Sequence, residues 1–167
     1  PKGSLKHWWW KSYRYGLQLA GKISQGIALG HRTGFDSGST LDYVYRNQAQ
    51  GRGLLGRLVD RNYLDAIGWR GIRQRKVHLE ELIQQAAAKL RKAGKPVRAL
   101  DIAAGHGRYV LDAFDNDNLN PESILLRDYS DINVRDGRRL IEERGLEDRV
   151  RFETVSYTHL RAHETAT

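Results

Sequence analysis

The spacing of apolar positions changes partway along this chain and divides it into a helical stretch and a mixed one. Over residues 36–95 the spacing is that of helices. D-S-G-S-T-L-D-Y-V-Y-R-N, from Asp36 to Asn47, reads as a turn, a cap and a short helix, with Ser39 or Thr40 as the N-cap. From about Leu54 to Ile67 a second helix sets Leu54, Leu55, Leu58, Val59, Tyr63 and Ile67 on one apolar stripe. Gly68 to Gly94 reads as a long helix, because Ile72, Leu79, Leu82, Ile83, Ala86 and Leu90 recur at steps of three, four and seven. Lys89, Arg91 and Lys92 sit in its last turn, where the helix dipole favours cations, and Gly94 and Pro96 end it.

From Val97 the elements shorten. V-R-A-L-D-I, Val97 to Ile102, predicts a buried strand, and Arg108 to Asp115 a short helix. Asp115 to Pro121 is a polar turn. Glu122 to Leu126 gives a second strand that ends in Arg127 and Asp128. Ser130 caps a helix through Arg144, with Gly145 at its C′ position, and Arg149 to Glu153 starts a third strand. The order helix-β-α-β-α-β predicts an α/β fold: a parallel sheet with right-handed crossovers and helices on both faces.

Residues 1–35 fit neither pattern. Trp8, Trp9, Trp10, Tyr13 and Tyr15 are interleaved with Lys6, Lys11 and Arg14, and a glycine-rich, weakly apolar run follows. The glycines weaken a helix, so this stretch reads as a linker or basic-aromatic lead-in. Two functional readings stand beside that one: aromatics at a membrane interface with the cations toward phosphates, or aromatics stacked on bases.

Charge sharpens the division. Residues 1–98 carry a net +13, residues 99–154 a net −5, and the whole chain +8. A basic front half invites an anionic partner, whether an anionic membrane surface, nucleic acid or an acidic substrate, with a solvated basic face as the alternative. The chain has 167 residues, 40% of them hydrophobic, enough for a packed core. It has no cysteine, which excludes disulfides and thiolate metal sites. No secretory signal and no apolar run of membrane-spanning length is read, which predicts a cytoplasmic place, with the inner membrane surface as a peripheral option. The chain starts at Pro1 and has no methionine, so the expectation is a piece of a longer protein.

The end of the chain departs from the pattern. Val155 to Thr165, V-S-Y-T-H-L-R-A-H-E-T, matches the in-frame translation of a sequencing-library transposase adapter. Residues 154–167 are therefore expected to be an artefactual tail, and His159 and His163 are not read as a metal pair.

The chemistry concentrates in D-I-A-A-G-H-G-R, Asp101 to Arg108. It leaves a strand and opens a helix at the carboxyl end of a parallel sheet, where open α/β folds bind ligands. Gly105 and Gly107 tolerate left-handed backbone and let it approach a ligand. Asp128 ends the next strand 21 residues past Gly107, the spacing for a carboxylate that takes ribose hydroxyls. A dinucleotide loop wants a third glycine, and Val110 stands there. No G-K-[ST] follows, so Walker-type phosphate binding is not read. D-x-A-x-G-x-G with Asp128 therefore favours S-adenosyl-L-methionine, a nucleoside without phosphate, and leaves an NAD-dependent oxidoreductase as a weak alternative.

V-R-A-L-D-I-A-A-G-H-G-R-Y-V-L-D-A-F, with I-L-L-R-D-Y-S after it, resembles motif I and post-motif I of class I S-adenosylmethionine-dependent methyltransferases. G-F-D-S-G-S-T-L-D-Y-V-Y-R-N and V-D-R-N-Y-L-D-A-I-G-W-R-G-I-R-Q-R resemble a bacterial subgroup often fused behind an α/β-hydrolase domain. The resemblance implies the N-terminal half of a Rossmann-like sheet, its first three strands at residues 96–153, behind a helical cap at 36–95. It implies that Asp101 helps fix the loop and the methionine part of the cofactor. Ala103, Gly105 and Gly107 would lie against it, Asp128 would take the ribose and Tyr129 the adenine. His106 occupies a variable position of the motif and is expected to face solvent, with the cofactor as the alternative. Tyr43, Tyr45 and Arg46 are candidate pocket residues, more readily explained by helix packing and a solvated arginine. The resemblance implies a transferase acting on a small metabolite or a lipid, with nucleic acid less favoured. It also implies an inactive fragment when the chain stands alone, because the catalytic residues and later strands lie downstream.

Overall fold

The computed structural model describes residues 5–115 and 119–155. Its elements are α1 (Leu5–Ile23), α2 (Gln25–Thr33), α3 (Gly38–Arg46), α4 (Gly53–Leu64), α5 (Ile67–Lys92), β1 (Arg98–Ile102), α6 (Arg108–Ala113), β2 (Ser123–Asp128), α7 (Asp131–Glu143) and β3 (Val150–Thr154). Two compact units, Pro1–Arg73 and Gln74–Thr167, divide the chain, and the division falls inside α5.

The first unit corrects the linker expectation. Residues 5–33 form α1 and α2. Ser24 caps α2 by accepting the Ile27 N–H at 3.1 Å. Helix propensity penalises the glycines here, but tertiary packing outweighs that penalty. The N-cap of α3 is Ser37, whose hydroxyl accepts the Thr40 N–H at 3.2 Å. Ser39 and Thr40, the expected caps, lie buried in the first turn instead. Leu29, Tyr43, Val44 and Leu64 make the apolar core of this unit, with Tyr63, Trp69 and Ile72 against it.

Helix α4 is rotated away from its expected stripe. Its buried positions are Gly56, Asp60 and Leu64, four residues apart. Leu54, Leu55 and Leu58 are 87%, 66% and 67% exposed, and Ile67 at the start of α5 is also exposed. Two local facts set this rotation. A Cβ on Gly56 would stand 2.6 Å from the Ile23 carbonyl oxygen, so only glycine permits this approach of α4 to α1. Asp60 also has its hydrogen-bond donors on that inner side. Ser24 Oγ donates at 2.7 Å, the Gly26 N–H at 2.8 Å and the Gln50 N–H at 2.8 Å, and the Tyr43 hydroxyl donates as well. A buried carboxylate must be paired, and that requirement outranks the leucines.

The second unit holds a parallel sheet of order β1-β2-β3. Ala99 pairs with Ile124, Asp101 with Leu126, and Leu126 with Phe152. One face carries Ala99, Ile124, Leu126, Val150 and Phe152, packed on Val110 and Leu111 of α6 and Val134, Leu140 and Ile141 of α7. The helices expected on both faces cover only this one among the described residues. On the other face Leu100 and Ile102 are each 60% exposed, so β1 is not the buried strand its composition predicts. Helix α5 buries Ala87 against Val97 and Leu119, while Leu82 of its expected face is exposed. Ser130 caps α7 as expected, and Gly145 takes a φ of 62° beyond it.

Candidate functional site

The loop between β1 and α6 leaves the sheet without losing it. Ala104 N–H donates to the Arg127 carbonyl at 3.0 Å, and Gly107 N–H closes a turn on the Ala104 carbonyl at 2.9 Å. Three of its residues have left-handed backbone: Ala103 at φ 64°, Gly105 at 61° and Gly107 at 74°. Gly107 is obligatory on two grounds, since a Cβ there would also stand 2.4 Å from Leu126 Cδ1. Ala103 has no such freedom, and its methyl makes the conformation cost about 1–2 kcal/mol. Ala103 is exposed and lies in the loop at the carboxyl end of the sheet.

Two carboxylates flank the loop. Asp128, at the end of β2, is 3% exposed. Its Oδ2 accepts the Gly105 N–H at 2.9 Å. Its Oδ1 accepts the Ser130 N–H at 2.9 Å and the Asn133 side-chain amide at 3.0 Å. Three of about four lone-pair positions are used, and the one left belongs to Oδ2. Asp128 thus ties the glycine loop to the start of α7. Asp101, on β1, is half-buried and accepts the Tyr109 hydroxyl at 2.6 Å. Burial pushes its carboxyl above the usual range and the charge of Asp128 adds to this, while the Tyr109 bond opposes it.

The other predicted residues fall out differently. Tyr129 is 64% exposed at the rim. His106 does not face solvent as expected. Its side chain keeps only 11% of its accessible surface, and Nε2 lies 4.0 Å from Asp136 Oδ2 of α7. The reason is close packing beneath it: a Cβ on Gly137 would meet Phe152 at 2.2 Å and the His106 carbonyl oxygen at 3.1 Å. Tyr43 is a core residue, 1% exposed and bonded to Asp60, and Arg46 pairs with Asp42 at 3.1 Å. Packing therefore explains Tyr43, and Arg46 is an exposed, ion-paired arginine. His159 and His163 lie outside the described residues.

Tyr109 and Asn133 are site residues that motif reading passed over. Each stands a turn beyond a recognised position, Tyr109 after the loop and Asn133 three after the Ser130 cap. Only the helical geometry turns them back onto the carboxylates. Two hollows of 320 and 480 Å³ lie along α7 and the β3 edge, sharing Arg138 and Glu142, and neither touches the glycine loop.

A family described as "Putative methyltransferase" matches residues 1–161, past the start of the adapter-like stretch. "Uncharacterized protein YnbC" of Escherichia coli K12 is 59% identical over 140 residues, 84% of this chain and 24% of that protein. The chain thus spans about a quarter of that relative's length. Among solved structures, a "putative sarcosine dimethylglycine methyltransferase" from Galdieria sulphuraria is 19% identical, covering 52% of this chain and 31% of its own, with a TM-score of 0.40. The [4+2]-cyclase SpnF is 27% identical over 53% of this chain and 29% of its own, with a TM-score of 0.39. The family match covers nearly all of the chain, and on it this chain belongs to the putative methyltransferase family.

Proposed function

We propose that the loop from Asp101 to Gly107 and the Asp128 carboxylate bind S-adenosyl-L-methionine, and that the whole protein transfers a methyl group to a small metabolite or a lipid. One observation carries this reading. A loop with three left-handed residues lies between two carboxylates at the ends of adjoining parallel strands. Two carboxylates suit a ligand with cationic groups and ribose hydroxyls, and they disfavour the pyrophosphate of a nicotinamide dinucleotide.

In this reading Asp101 holds the methionine end. Ala103, Gly105 and Gly107 present backbone to the cofactor, Asp128 has one acceptor position for a ribose hydroxyl, and exposed Tyr129 lies against the adenine. His106, whose Nε2 lies 4.0 Å from Asp136 Oδ2, shapes the loop. When bound, the cofactor supplies an electrophilic methyl carbon on its sulfonium. This chain's residues supply orientation, the larger part of what such a displacement needs. An α/β-hydrolase domain upstream and a cytoplasmic place belong to the same proposal, as does the absence of methyl transfer by this chain alone.

Titration with S-adenosylmethionine, followed by calorimetry, tests the reading. The chain should bind it, and Asp101→Asn should weaken binding at least about tenfold, as expected for a charge-assisted bond. NAD should give no heat. Binding of NAD with none of S-adenosylmethionine would sink the proposal.

A further inference from the structure

The rotation of α4 leaves an apolar face that the first unit does not use. Leu54 and Leu58 stand four apart on the side of the helix away from Gly56 and Asp60, and Leu55 flanks them. Arg52 and Arg57 are exposed beside these leucines. Helix α1, which packs on α4 through Ile23, shows a second face of the same kind. Trp8, Tyr15 and Leu19 follow one another at steps of seven and four and are 62%, 63% and 44% exposed. Lys11 and Lys22 each lie three residues beyond a member of that stripe and are exposed, and the Lys11 ammonium sits 5.5 Å from the Trp8 ring centre. Trp9 and Trp10 are exposed on other sides of the same helix end.

The charge of the unit selects the partner. Residues 1–73 carry 12 Lys/Arg against 4 Asp/Glu, a net +8. Two of the four acids, Asp42 and Asp60, are buried, so the surface is more cationic than the total. Large amphipathic aromatics, aliphatic side chains and flanking cations on exposed helix faces are what an anionic lipid surface takes up. A nucleic acid would use the cations and the aromatics but would leave Leu54, Leu55 and Leu58 in water.

We infer that α1 and α4 form a docking face for an anionic membrane surface. The leucines and Trp8 enter the headgroup boundary while Lys11, Lys22, Arg52 and Arg57 meet phosphates. This inference is independent of the methyl-transfer reading, since it uses no residue of the glycine loop.

Sedimentation of the 167-residue chain with vesicles of phosphatidylcholine containing about one-quarter phosphatidylglycerol tests it. The chain should sediment with them, and its tryptophan emission should shift to the blue. Binding should fall at least about tenfold on pure phosphatidylcholine, which removes the anionic charge. It should also weaken as ionic strength rises from about 0.1 M to about 1 M, where screening shortens from about 10 Å to about 3 Å. Leu54→Glu/Leu58→Glu should lower binding at least about tenfold while circular dichroism stays unchanged, because both side chains already face water. If that variant misfolds, Lys11→Glu/Arg57→Glu serves the same comparison. Failure of the wild-type chain to sediment with the anionic vesicles would overturn the inference. So would binding that neither double variant reduces, salt-sensitive binding of a single-stranded oligonucleotide without vesicle binding, or a dimer in solution that Leu54→Glu/Leu58→Glu dissolves.

Discussion

Asp60 in the helical unit and Asp101 in the sheet unit are both drawn away from water, yet their carboxyls shift in opposite directions. Asp60 is fully buried, which by itself opposes its charge. Donors from Tyr43, Ser24, Gly26 and Gln50 outweigh that and hold its carboxyl below the usual range. At Asp101 burial and the nearby charge of Asp128 outweigh the bond from the Tyr109 hydroxyl, so its carboxyl is pushed up. A carboxylate with every acceptor position filled is architecture, and it joins α2, α3 and α4 at one point. A carboxylate with few donors, near another of like charge and beside a strained loop, is the one that the proposed cofactor reading uses. Asp128 stands between the two cases: three acceptor positions build the loop and one remains.

The largest effect should come from removing the fully paired acid. Asp60→Ala leaves the Tyr43 and Ser24 hydroxyls and the Gly26 and Gln50 N–H groups without their acceptor. It should cost about 4 kcal/mol in urea unfolding. A loss under about 1 kcal/mol would show that Asp60 does not organise the first unit. Next comes Gly107→Ala, which meets both the left-handed backbone and Leu126, and should cost about 3 kcal/mol. A smaller loss with unchanged cofactor binding would mean that the loop rearranges freely.

The two acids should also part company with pH. The stabilisation from Asp60 is present above the ordinary carboxylate range and is lost only as pH falls through its lowered folded value. Asp101 has the opposite sign: its raised folded value makes ionisation costly, so it lowers stability as pH climbs from the ordinary value through the raised one. Cofactor binding through an ionised Asp101 should therefore fade on acidification at a pH above that of an ordinary aspartate. Calorimetric titration across the acid range checks this, and a pH profile identical in Asp101→Asn would contradict it. The smallest effect is Ala103→Gly, which relieves the left-handed strain but loosens the unfolded chain. It should stabilise the protein by about 0.5 kcal/mol and weaken cofactor binding slightly. Tighter binding in that variant would show that the strain at Ala103 does not serve the site.

Much of the second unit was legible because its signals are local. The apolar run near Leu100, the glycine spacing, the Ser130 cap and the Gly145 stop each act within a few residues, and the structure places the three strands and two helices within one or two residues of expectation. The candidate site was legible for the same reason, as Asp101, Gly105, Gly107 and Asp128 are read along the chain and meet in space. Tyr109 and Asn133 were not, because their roles depend on the turn of a helix back toward a carboxylate.

From residue 36 on, the sequence alone determined that helices form, where α3 and α5 lie and that the front half is cationic, since composition and period suffice for these, whereas α1 and α2 were hidden by their glycines. Which side of α4 faces inward was decided only by tertiary structure. The stripe of Leu54, Leu55 and Leu58 has the stronger apolar pattern, but a buried carboxylate must find its donors, and those of Asp60 come from Ser24, Gly26, Tyr43 and Gln50, 10 to 36 residues away. Gly56 then lets α4 close on the Ile23 carbonyl, and the leucines are left outside. A periodic pattern shows which face of a helix is apolar; the hydrogen bonds of one buried aspartate determine which face is turned inward.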